Sequence, residues 1–182
     1  MTRLIALFAA FAFATASAAA QPVDPTARDA VVEYGGPEPV VVETDAGPVR
    51  FSAEIADTPA SRQRGMMWRE SIAPDEAMLF DFGQVRPVTI WMRNTLIPLD
   101  IVYIRADGTI AKVVAHAQPR SLRQLPSDFP VIGVLEIAGG RAAQAGIAPG
   151  DLVRHAMFGT TEADAPETEA PADADASEGG EG

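Results

Sequence analysis

The chain contains no cysteine. Disulfides, thiolate metal ligands and a thiol nucleophile are therefore excluded, and stability has to come from the apolar core alone. Histidine is nearly as scarce, with only His116 and His155. Neither stands in an HExxH or HxH spacing, so a zinc hydrolase has no support. No GxSxG elbow and no glycine-rich phosphate loop occurs, and the pattern calls for no cofactor. Basic clusters are missing as well. The net charge is −11, yet residues 47–158 carry twelve Lys and Arg against eleven Asp and Glu. Nucleic-acid binding needs clustered cations that displace counterions, so this balance predicts no nucleic-acid partner.

The acidity lies in the flanks, with eight acidic residues after Gly159 and six between Gln21 and Ala46. Residues 159–182 hold no large apolar side chain. Such a segment cannot offset the entropy of ordering and is expected to be a disordered acidic tail. At the other end, Arg3 precedes the apolar run Leu4–Ala14, and the small residues Ala18, Ala19 and Ala20 follow. That order predicts a signal peptide over 1–20, and after its cleavage a periplasmic or secreted product with no stable membrane span. Residues 21–37, with Pro22, Pro25, Gly35, Gly36 and Pro37, are expected to form a linker. One domain remains, over 38–158.

Within it the punctuation is that of β structure. Strands are predicted at 39–43, 49–56, 77–82, 88–92 and 131–137, in a hairpin over 100–117, and after "GIAPGD". Between 49 and 56, Val49, Phe51, Ala53 and Ile55 alternate with Arg50, Ser52 and Glu54, the period of a strand with one buried face. Asp107-Gly108 suits a tight hairpin turn. Thr58-Pro59 opens a short helix, and a second is expected near 140–144, capped by Gly146. Seven or eight short strands with two short helices imply a mainly β fold, α+β in content: a small β-sandwich or barrel. Trp91, apolar on both sides, is expected in its core.

The methionines Met66, Met67, Met78 and Met92 could ligate Cu(I), but each stands beside apolar neighbours and is assigned to packing. Arginines raise a sharper question. Arg62, Arg64 and Arg69 surround a helix end, and Arg93-Asn94 interrupts "VTIWM". A guanidinium offers a planar fork for carboxylate or phosphate. Asn94, Thr95 and Asp100 have turn-forming and capping explanations, whereas a turn makes no use of the Arg93 side chain.

Three stretches together, "SRQRGMMWRESIAPDEAMLFDF", "RPVTIWMRNTLIPLDIVYIRADGTIAKV" and "GIAPGDLV", resemble the domain-of-unknown-function family numbered 192 over about residues 50–155. The resemblance implies a small, mainly β domain, often exported, with no established activity. The expectation that follows is a non-catalytic binding or accessory module for a small anionic or sugar-like ligand or a protein partner. Arg93, Asn94, Arg69 and Asp100 are its candidate ligand-binding residues; no residue is assigned a catalytic role. A hydrolase or lyase using Asp100 or His116 as base, and a structural protein-interaction module, are the alternatives.

Overall fold

The computed structural model describes residues 24–161. The expected signal peptide and nearly all of the expected acidic tail lie outside them. Among the described residues nine strands form: β1 (Gly35–Thr44), β2 (Gly47–Ala56), β3 (Glu76–Arg86), β4 (Thr89–Ile90), β5 (Leu99–Ile104), β6 (Ile110–Ala117), β7 (Leu125–Pro126), β8 (Val131–Ala138) and β9 (Leu152–Arg154). Two short helices accompany them, α1 (Pro59–Arg64) and α2 (Arg141–Ala145). Thr58 caps α1 reciprocally with Ser61, and left-handed Gly146 ends α2.

Seven strands make one sheet in the order β6-β5-β8-β3-β2-β1-β9. Only β2 and β3 pair in parallel, and the crossover that a parallel pair requires contains α1. The sheet curls until its outer strands meet. Thr109 bridges Leu152, and the Val153 amide donates to the Gly108 carbonyl at 2.8 Å. Gly108 permits this approach, because a Cβ there would stand 2.7 Å from the Val153 carbonyl oxygen. Both edges are thereby partly protected from pairing with other chains.

Alternation along each strand sorts the core into two clusters. Phe51, Leu79, Val102, Leu135 and Ile137 belong to one, which also takes Val153 and the 3-10 turn residue Phe158. Met78, Phe80, Ile101, Tyr103 and Val134 face the other way. There they are covered by Met66, Ile90 and Met92 from the segments around α1 and β4. Met66, Met67, Met78 and Met92 are all buried, as packing requires. This second layer, outside the curl, positions the candidate sites.

Several expectations are corrected. β1 starts at Gly35, four residues earlier than predicted. Residues 24–34, read as linker, lie against the end of α1: the Arg64 guanidinium donates to the carbonyls of Pro25, Ala27 and Arg28, and the Trp68 indole N–H donates to Thr26 at 3.0 Å. Gly159–Thr161, counted with the tail, are also held, since the Thr160 hydroxyl donates to the Val153 carbonyl at 2.8 Å.

Trp91 is not a core residue; it is 44% exposed. The run 88–92 contributes only the two residues of β4, which pair with β7 in a separate small sheet. Val88, Ile90 and Met92 point inward, and Thr89, Trp91 and Arg93 are exposed. An apolar run read as buried on both faces has one buried face. The same alternation places Trp91 and Arg93 on one side, with the guanidinium over the indole at 5.4 Å.

Candidate functional site

Arg93 and Asn94 sit on a turn closed by the Thr95 amide donating to Met92 at 3.1 Å. Asn94 adopts a left-handed conformation (φ 59°), which short polar side chains tolerate. Neighbouring segments are stitched to this turn by backbone bonds. The Trp68 amide donates to Asn94, the Arg120 amide to Thr95, and the Met92 amide to Ser121. Three separate stretches of chain thus converge on an open concavity of about 470 Å³, lined by Trp68, Arg93, Asn94, Arg120 and Leu122.

Two guanidiniums therefore border one hollow that also has an indole and an exposed leucine. Among the described residues neither Arg93 nor Arg120 forms an ion pair. Arg93 does act on Asp24 at longer range. The Asp24 carboxyl is held below the usual carboxylate range mainly by the backbone amide and hydroxyl of Thr26, with Arg93 a lesser cause. Asn94 also contacts the N-terminal segment, its side-chain amide lying 3.5 Å from the Thr26 carbonyl.

The other two candidates lie elsewhere. Arg69 pairs with Glu54 and stacks over Tyr34 at 5.5 Å. It lines separate hollows beside Arg28 and Tyr34 and beside Glu54 and Ile72. Burial pushes the Tyr34 hydroxyl upward, against the pull of Arg69 and Arg64. Asp100 is fully buried, and its carboxylate accepts from three backbone amides: His116 at 2.8 Å, Gly140 at 2.9 Å and Ala142 at 2.8 Å. Those bonds fasten the start of α2 to the end of β6 and leave no face for a ligand. His116 packs its exposed ring against Gly140, where a Cβ would come within 2.9 Å of Cε1. Neither Asp100 nor His116 lines any of the clefts described here.

The residue missed in the sequence is Glu136. It lies on β8 opposite Met78 of β3 and Ile101 of β5, and is 5% exposed. Leu135 and Ile137 enter the inner cluster, so Glu136 points outward with Met78 and Ile101. No hydrogen bond from the described residues holds its carboxyl group. It lines a cleft of about 110 Å³ with Arg62, Arg64, Met66, Phe80, Ile90 and Trp91. Burial raises its pKa to about 8, against the pull of Arg69. At neutral pH the group is mainly un-ionised and carries both a donor and an acceptor. The available signal was a lone acid inside the apolar run "VIGVLEIA", where alternation allows no solvent-facing side on a central strand.

The DUF192 family, described as an uncharacterized ACR, matches residues 40–155. A crystal structure of a Sinorhizobium meliloti 1021 protein, provisionally named a transcription regulator, shares 40% identity at a TM-score of 0.67, covering 70% of this chain and 99% of that one. One of a protein of unknown function from Novosphingobium aromaticivorans DSM 12444 shares 33% identity at a TM-score of 0.64, covering 75% and 100%. No curated protein matches the chain. With the profile spanning most of the chain and both structures matched along essentially their whole length, this protein belongs to the DUF192 family.

Proposed function

We propose that this protein is an exported, non-catalytic binding module for a small anion with a ring or apolar part, a sugar acid being the type. The observation that carries this reading is the pair Arg93 and Arg120, two cations that form no ion pair among the described residues, Arg93 having only a longer-range pull on Asp24, bordering one concavity with Trp68 and Leu122. Guanidiniums held this way offer charge-assisted bonds to a carboxylate or phosphate. The indole supplies a flat surface for a sugar ring, and Leu122 an apolar one. Export follows from the signal-like first twenty residues.

The provisional name of the Sinorhizobium meliloti relative would imply contact with nucleic acid. The near balance of charge over residues 47–158 favours a small ligand instead.

Calorimetric titration with glucuronate, citrate and inorganic phosphate tests the reading. At least one should bind the wild type, and Arg93→Ala and Arg120→Ala should each weaken it by tenfold or more. Failure of all three to bind, or equal binding by the variants, would refute it.

A further inference from the structure

The strongest unassigned feature is the cleft containing Glu136, distinct from the Arg93 concavity and separated from it in lining residues. We propose that this cleft is a second binding site, for a small uncharged amide held edge-on by the Glu136 carboxyl group.

The shape and lining come first. A cleft of about 110 Å³ admits a body of only a few heavy atoms. Met66, Phe80, Ile90 and Trp91 give it apolar walls. Glu136 reaches it from a central strand while itself nine-tenths buried, and accepts no hydrogen bond from the described residues. With no fully buried side-chain oxygen left unsatisfied among the described residues, those of Glu136 open onto the cleft, where a ligand can reach them.

The charges select the ligand. Burial keeps Glu136 un-ionised at neutral pH, and the same burial would penalise a charge on any ligand placed beside it. Arg62 and Arg64 also line the cleft, but their guanidiniums are engaged with backbone carbonyls. Arg62 donates to Asp57 and, at 2.7 Å, to Asp81; Arg64 donates to Pro25, Ala27 and Arg28. They are poorly placed to bind an anion, and their charge disfavours an ammonium. A neutral carboxyl group presents O–H and C=O side by side. A primary amide presents C=O and N–H in the complementary order, so the two close a ring of two hydrogen bonds.

Isobutyramide is the probe, with isobutyrate and isobutylammonium as charged controls of the same shape. Backbone amide NMR shifts at Glu136, Ile90 and Gly65 report on binding. The other charged or titratable groups around the cleft are Arg62, Arg64, Arg69, Arg93 on Trp91, and Tyr103, whose hydroxyl is pushed above its usual range mainly by burial. A change between pH 7 and 9 that Glu136→Gln lacks therefore reports Glu136.

Wild-type affinity for isobutyramide should fall roughly tenfold per pH unit above 8, as the donor is lost. Glu136→Gln keeps a donor and an acceptor and should bind within about threefold of wild type, independent of pH. Glu136→Met should not bind isobutyramide, yet should keep wild-type affinity for glucuronate, which separates this site from the anion concavity. The proposal is overturned if isobutyramide fails to bind wild type, if Glu136→Met binds it equally, or if either charged control perturbs the same amides more strongly.

Discussion

Asp100 and Glu136 are both buried acids on neighbouring strands, pointing to opposite faces of one sheet. Asp100, on the inner side, is saturated by three backbone amides from two other elements. Glu136, on the outer side, has none and faces a cleft. The contrast teaches that burial alone does not assign a role to an acid. Its partners do: an anion collecting amides is a fastener, while one without partners stays protonated and available.

The largest expected effect lies on the fastener. Asp100→Ala leaves three inward-pointing amides without acceptors and should cost about 3–5 kcal/mol, as removal of one partner from a buried charged group commonly does. Asp100→Asn keeps one acceptor oxygen and should recover part of that. Urea unfolding midpoints of the three proteins measure the ladder. Equal midpoints would show that the carboxylate does not anchor α2.

Glu136 should give the opposite signature. Its folded pKa of about 8 stands above the ordinary glutamate value of 4.5, so the folded state holds a proton that the unfolded chain releases. The stabilisation is complete below 4.5, declines as pH rises towards 8, and is gone above it. Between pH 5.5 and 7.5 wild type should lose about 2–3 kcal/mol relative to Glu136→Gln, at roughly 1.4 kcal/mol per pH unit. Parallel denaturation curves of the two proteins across that range would show that Glu136 is not held neutral.

How much of this was readable from the sequence follows from what each signal encodes. The strands at 49–56 and 131–137 and the cap at Thr58 rest on local pattern, and they stand in the fold close to where local pattern put them. Trp91 fails because "VTIWM" specifies apolar character but not how many faces are covered; that depends on what packs above it. Its expected cost changes accordingly. Trp91→Ala should lose about 1–1.5 kcal/mol rather than a core-sized amount, from partial burial and the Arg93 stacking. A loss above about 3 kcal/mol in thermal unfolding would restore the core assignment. Arg120, Trp68 and Leu122 were not grouped with Arg93 because they are 27, 25 and 29 residues away along the chain. Only the backbone bonds among three loops bring them together, and no spacing rule reports such bonds.

The smallest expected change in stability is at Arg93. Its guanidinium is exposed, has no carboxylate partner among the described residues, and rests on an indole at 5.4 Å. Arg93→Ala therefore removes one surface stacking contact, worth about 0.5–1 kcal/mol at most. The turn itself survives, since Asn94 supplies the left-handed residue and the Trp68, Thr95 and Arg120 amides donate to backbone carbonyls. Arg93→Lys keeps the charge but not the planar fork. If the fork is what an anion uses, Lys should recover less than half of the lost binding free energy for glucuronate, with unfolding midpoints of all three proteins nearly equal. Full recovery by Lys would reduce the site to a point charge; a midpoint shift as large as that of Asp100→Ala would make Arg93 a structural residue after all.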